Sequence, residues 1–300
     1  MRRILRGLSV IRGRFGGTVL VLRSAAIALF VGLAAGAACS SGSLRVEDGW
    51  VGETRGMLSA MRAEGKIGVD SIISLGTPAY AHLRGRVSEE SSYALTFFAE
   101  GLPKIIAGTL SKAVPFGGVR LEFDDLRSSG LAAEMIAEAS GFLPTRWLER
   151  IARLNRGRKL VVGIASRGQY RSGRIMTNNL KTSFHELVHA YEGDPPKHLE
   201  NKLRSEFYER KTSGKGAKKL RKLSRITNLY FYGHEEKFRA GFVCNYIGKE
   251  RGVELMSMGL ECLMWNRYNI WNRDPEMTKF LLGMMIFFGE SGELNGEFVQ

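Results

Sequence analysis

Apolar residues recur at three-to-four spacing around positions 50–63, 89–113 and 129–140, and each stretch predicts a helix with one buried face. Leu143-Pro144-Thr145 opens a further short helix running to about Asn155, with proline suited to its first turn. Gly117 to Phe123 alternates and predicts a strand. Two more strands are predicted by the apolar run from Lys159 to Ala165 and by the shorter Gly173–Thr177. After Asn178-Asn179 the pattern is helical nearly to the end, interrupted at Gly193-Asp194-Pro195-Pro196 and by a basic stretch. Helices, a small sheet and helices again make an α+β fold, mostly helical, and no break in composition marks a linker.

The first forty residues follow another pattern. Six arginines and no acid precede an apolar run from Ala25 to Ala38, followed by Cys39-Ser40-Ser41-Gly42-Ser43. A positive start, a short apolar stretch and a small-residue exit have the form of a signal sequence or membrane anchor. Gly36-Ala37-Ala38-Cys39 resembles a lipoprotein processing site with Cys39 as the lipidated residue, although glycine stands where Leu or Val is usual. The expected location is therefore exported or membrane-anchored, or cytoplasmic if translation starts at Met57 or Met61. The expected organisation is this segment over 1–40, a helical region over 41–142 and a further domain over 143–300.

Charge changes the picture less than its total suggests. The chain of 300 residues carries a net charge of +14. The N-terminal arginines and the stretch 202–225, with ten basic residues against Glu206 and Glu209, account for all of it. The second stretch is either a solvated helix face and loop or a contact for nucleic acid or an anionic surface. It lacks the interleaved aromatics of a base-stacking surface. Three cysteines are too few for a disulfide scaffold; Cys244 and Cys262 form either one disulfide or two buried thiols. No phosphate loop and no dinucleotide fingerprint is present.

His185-Glu186-Leu187-Val188-His189 carries the chemistry. On a helix the two histidines lie on one face four positions apart, so both imidazoles can meet one metal ion. Glu186 is placed to take the proton of a metal-activated water. Zinc suits imidazole and carboxylate donors that leave a position open for water. Phe184, Leu187, Val188 and Tyr191 pack such a helix on the core. The short strand before it would offer an exposed edge to an extended peptide.

A third ligand is required. Glu192 stands where a metzincin would have glycine, and Asp194-Pro195-Pro196 ends the helix, so the ligand is expected on a later helix. Glu236 shares a predicted helical face with Ala240, Val243 and Ile247. Glu254 and Glu261 stand seven apart among Leu255, Met256, Met258 and Leu260. A carboxylate on an apolar face is costly unless paired or bound to a cation, and the pattern barely separates the three.

His-Glu-Leu-Val-His followed by a glutamate on a later helix resembles the gluzincin group of zinc metallopeptidases. More closely, residues from about 143 to 290 are similar to the zincin domains associated with phage minor head (head-morphogenesis) proteins. The resembling stretches are Leu143-Pro144 with Trp147-Leu148, the helix of His185 to Glu192, Phe207 to Thr212, and Tyr230-Phe231 leading into Glu235-Glu236-Lys237-Phe238 and Phe242. The resemblance implies a zincin-like domain over 143–300, zinc at His185 and His189, Glu186 as catalytic base and Glu236 as third ligand, with Glu254 in reserve.

The expected function is zinc-dependent hydrolysis of peptide bonds in a peptide or protein substrate. Tyr232 and His234 are candidate donors to the oxyanion. Two alternatives stand beside it: a zincin-fold assembly protein with a slow or inert metal site, and a basic polyanion-binding protein acting through 202–225. No apolar span after residue 40 suits a membrane pore.

Overall fold

The computed structural model describes residues 49–93, 101–154, 159–193, 198–215, 218–219, 237–244, 246–249 and 254–290. The signal-like segment with Cys39, the candidates Tyr232, His234 and Glu236, and the C-terminal part of the basic stretch from residue 220 onward lie outside them. The architecture is α+β, mostly helical with a small sheet. Helices α1 (Gly49–Glu64), α2 (Val69–Tyr93), α3 (Gly101–Leu110), α4 (Gly130–Ser140) and α5 (Thr145–Leu154) precede the sheet. Its strands are β1 (Val161–Ile164), β2 (Gln169–Arg171) and β3 (Arg174–Thr177), followed by α6 (Leu180–Glu192) and α7 (His198–Thr212). A two-residue pair, β4 (Lys218–Lys219) with β5 (Lys237–Phe238), comes next. Then come α8 (Ser257–Met264), a 3-10 turn over Arg267–Asn269, α9 (Ile270–Arg273) and α10 (Pro275–Glu290).

Three expectations are corrected. The 89–113 stretch falls on the end of α2 and on α3, with 94–100 outside the described residues, and the start of the 25-residue α2 was not expected, because Gly76, Pro78 and Gly85 hide its periodicity. Packing on α10 overrides those local breakers, as tertiary context does with propensity. Gly117–Phe123 forms no strand. Isolated bridges flank it, Phe116 with Pro144 just before it and Phe123 with Leu160 at its end, and Gly117 and Gly118 hold φ of 64° and 78°, outside the strand region. The helix through Ala240, Val243 and Ile247 is absent: Lys237–Phe238 is strand, and the described residues that follow are bends and turns. Gly241 has φ 136°, outside the helical region, and lies so close to the end of α7 that a methyl there would strike the Lys211 carbonyl.

One hydrophobic core runs from Trp50 on α1 to Phe287 on α10, so the helices before the sheet and those after it share it. Residues 49–300 accordingly form one compact unit. Its longest contact is α2 along α10. There the two backbones touch: a methyl at Gly76 would strike the Lys279 carbonyl, and one at Gly283 the Ile72 carbonyl. Phe207 of α7 stacks on Phe280 of α10 with centroids 4.0 Å apart. Among the described residues no helix is long and apolar enough to cross a membrane.

The sheet order is β1-β3-β2. β3 is parallel to β1 and antiparallel to β2, with Tyr170 opposite Ile175 and Arg171 opposite Arg174. The strand just before α6 is therefore central and paired on both sides, which corrects the expectation of an exposed edge there. The edge strand on that side is β2, whose Gln-Tyr-Arg sequence has no apolar signature. Ser172 and Gly173, at φ 47° and 80°, turn the chain back within two residues and so create it.

Candidate metal centre

α6 is held at both ends and along its back. The Asn179 side chain accepts from the Thr182 N–H at 2.9 Å, satisfying a donor that the first turn leaves free. Phe184, Leu187, Val188 and Tyr191 are buried, and Tyr191 stacks on Trp147 of α5 with centroids 4.0 Å apart. The Tyr191 hydroxyl donates to buried Glu200 at 3.0 Å. With that face fixed, His185 and His189 project together toward α8, and Glu186 toward the sheet.

The partner they meet is Glu254, in the turn that leads into α8. Its Oε2 lies 3.4 Å from His185 Nε2 and 3.3 Å from His189 Nε2. His185 Nδ1 lies 3.1 Å from Glu261 Oε2, and His189 Nδ1 3.1 Å from Glu192 Oε2. Each outer carboxylate is held in turn, Glu261 by Arg267 and Glu192 by Arg204. Glu254 also accepts from Ser257 Oγ at 3.0 Å and has Lys249 Nζ at 3.6 Å. His185, Glu186, Glu254 and Glu261 are all at least nine-tenths buried.

The chemistry of this donor set calls for a cation. An ionised carboxylate only accepts, so the outer glutamates hold the proton on each Nδ1 and leave each Nε2 a lone pair. Two such lone pairs then face a third acceptor, Glu254 Oε2, in a buried space. Three converging acceptors repel unless protons or a metal ion lie between them. Zinc in tetrahedral coordination, with bonds of about 2.0–2.1 Å, sets its ligand atoms about 3.3–3.4 Å apart. The His–Glu254 separations match that spacing, and His185, His189 and Glu254 form a group able to hold a metal ion.

Protons take the cation's part in the metal-free chain. Burial alone would depress both imidazoles. For His185, Glu254 and Glu261 more than reverse this and push its pKa up to about 9. For His189, Glu192 and Glu254 do the same, to about 10. Burial acts on Glu254 in the opposite sense, but the two histidines hold its carboxyl far below the usual range. Glu186 is raised above the ordinary carboxylate value by burial, against the pull of His185 and His189. It accepts the Tyr170 backbone N–H from β2, and Gly168, just before that strand, lies against Glu186 and Thr182 so closely that a methyl there would overlap both.

Of the sequence candidates, His185, Glu186, His189 and Glu254 are brought together. Glu261 sits behind His185 rather than beside Glu254. Glu236 lies outside the described residues, and the helix that was to present it is not formed. Glu192 was read from sequence only as a departure from glycine, although its position three after His189 puts it on the same helical face. Arg204, Arg267 and Lys249 were missed; nothing in their sequence context sets them apart. Cys244 and Cys262 are free and buried. In the basic stretch, Arg210 pairs with Asp70 and Glu276, Lys211 with Asp274, and Lys202 loosely with Glu206. Comparison with family models, with curated proteins and with solved structures returned no match.

Proposed function

We propose that the protein is a zinc-dependent metallopeptidase whose ion is held by His185, His189 and Glu254. One observation carries the reading: both Nε2 atoms converge on a single carboxylate oxygen of Glu254 while each Nδ1 is held by its own glutamate. Bound zinc supplies a Lewis acid that acidifies water and polarises a carbonyl. Glu186 is the general base. Its carboxylate is buried beside the two histidines, and the Tyr170 N–H fixes its orientation. A raised pKa brings a carboxylate closer to the range where it both takes a proton and returns it, here from water to the leaving amine. Glu261 and Glu192 keep both imidazoles in the tautomer that offers Nε2 inward.

The test is zinc per chain, measured beside hydrolysis of a fluorogenic peptide library. Wild type and Glu236→Ala should hold about one zinc, as a single catalytic site requires, and His189→Ala and Glu254→Ala none. Glu186→Gln should keep its zinc and lose turnover by about 10²–10⁴-fold. A folded wild type that takes up no zinc at neutral pH sinks the reading, and so does cleavage that survives in Glu186→Gln.

A further inference from the structure

The two buried cysteines are not packed as inert apolar groups. Cys244 lies in the bends that follow β5, and Cys262 on α8, one position after Glu261. The Cys262 thiol hydrogen-bonds the Cys244 sulfur, and so do the Tyr268 hydroxyl and the backbone N–H groups of Tyr246 and Ile247. A neutral thiol in a core behaves as a small hydrophobe and needs no such set of donors. A thiolate does, because it accepts and carries charge. These contacts, the Cys262 thiol foremost, hold the Cys244 thiol below its ordinary range against the opposing effect of burial. The same contact, together with burial, pushes the Cys262 thiol up.

The backbone beside the pair is strained. Asn266, Tyr268 and Asn269 have φ of 44°, 59° and 54°. Asparagine tolerates the left-handed region, but a bulky residue such as tyrosine is an outlier there and stays only where its surroundings fix it. This turn puts the Tyr268 hydroxyl on Cys244 and the neighbouring Arg267 on Glu261. Tyr268 is 42% exposed, so the Cys244 sulfur lies one side chain below the surface, whereas Cys262 is fully buried. A small oxidant therefore meets Cys244 first. Among the described residues neither cysteine belongs to a group of donors able to hold a metal ion.

We propose that Cys244 and Cys262 are a peroxide-sensitive dithiol that closes into a disulfide, with Cys244 attacking and Cys262 resolving. The Cys244 thiolate bonds to one oxygen of hydrogen peroxide as the O–O bond breaks, and the departing hydroxide takes up the proton that Cys244 had released, giving water. The Cys262 sulfur then attacks the resulting sulfenic acid. The S–S bond forms, the S–O bond breaks, and the second hydroxide leaves as water with the Cys262 proton. Two electrons have passed from the two thiols to the peroxide. The disulfide closes the chain between residues 244 and 262 into a loop that carries Lys249, Glu254 and Glu261. A closed loop has less freedom in every opened state, so a centre whose Glu254 belongs to it releases its ion more slowly. This tie to the centre rests on the metal reading above; the dithiol itself does not.

The test treats the full-length chain, metal-free and supplied with zinc, with hydrogen peroxide, then blocks the remaining thiols and digests with trypsin. Lys249 and Arg251 separate the two cysteines, so the disulfide shows as two joined peptides that part on reduction. They should join in both samples without urea. In Cys262→Ser a cyclic dione should trap a sulfenic acid on Cys244, whereas in Cys244→Ser the Cys262 thiol should stay unmodified. Tyr268→Phe should form the disulfide several-fold more slowly, with far-UV dichroism unchanged. Peptides that stay separate, that join only in urea, or that join across a mixture of isotopically heavy and light chains overturn the dithiol, and these outcomes need no variant to fold. A Cys262 that reacts in Cys244→Ser as fast as in wild type overturns it too. Zinc release to a chelator should slow after peroxide and recover on reduction; a rate left unchanged or raised overturns the tie to the centre. A chain that forms the disulfide but takes up no zinc removes the metal reading, and that tie with it, and leaves the dithiol standing.

Discussion

Two helix contacts in this protein are built on opposite principles. Where α2 crosses α10, side chains are missing: Gly76 and Gly283 let two backbones touch inside an apolar core. Where α6 meets α8 and the turn before it, side chains are everything, and the interior is filled with three glutamates, two histidines and three basic groups. The first contact is satisfied by the chain alone. In the second, two imidazoles face one buried carboxylate oxygen, so it needs protons on the imidazoles or a cation between them.

The largest effect should come from breaking the first contact. Gly283→Val places carbon against the Ile72 carbonyl, a backbone group that cannot swing away. Overpacking of this kind costs about 1–3 kcal/mol and more where backbone must move. Urea denaturation should show that loss with or without zinc. Glu254→Gln acts on the second contact: it should abolish zinc uptake, read by calorimetry, and lower the urea midpoint of the metal-free chain at neutral pH, because both buried imidazolium groups lose the carboxylate they share. Between the extremes, Glu261→Ala and Glu192→Ala should each weaken zinc binding by about 10–100-fold while leaving its stoichiometry intact.

Acidity sharpens the contrast further. Both imidazoles have folded pKa values, about 9 and about 10, above the ordinary 6.5. Their stabilisation of the metal-free chain is therefore whole below pH 6.5 and fades as pH rises through 9 to 10. Melting temperature without metal should fall over that window, and zinc should flatten the decline. Near neutral pH, zinc uptake should expel about two protons, detectable as a dependence of binding heat on buffer. The smallest effect belongs to the surface: Lys202→Ala, whose partner Glu206 is 4.0 Å away, should leave both stability and zinc affinity unmoved.

The legible part of the site was the part written in helical spacing. His185, Glu186 and His189 lie within one turn of α6, so one periodicity fixes their relation, and its apolar back face was equally visible. Glu254 was seen as a costly carboxylate among apolar residues but ranked behind Glu236. That ranking rested on the resemblance, since the pattern barely separates the glutamates, and the helix through Ala240 and Ile247 that would have presented Glu236 is not formed. The α2 helix was hidden by Gly76 and Pro78, residues that read as breakers locally and serve close packing globally. The edge strand escaped because Gln169, Tyr170 and Arg171 are polar or amphipathic, and only the turn at Ser172-Gly173 makes them a strand.

His185 and Glu261 stand 76 positions apart in the chain. The centre therefore closes a long loop, and the entropy of that closure has to be met before the donors converge. A chain still emerging from the ribosome carries the whole His-Glu-Leu-Val-His motif long before α8 has been made. On the proposed reading such a chain has no hydrolytic power, because Glu254 and Glu261 arrive only with the last third of the sequence. On that reading the order of synthesis is a safeguard: the chain would become able to cut other proteins only once Glu254 and Glu261 have been made and folded against α6.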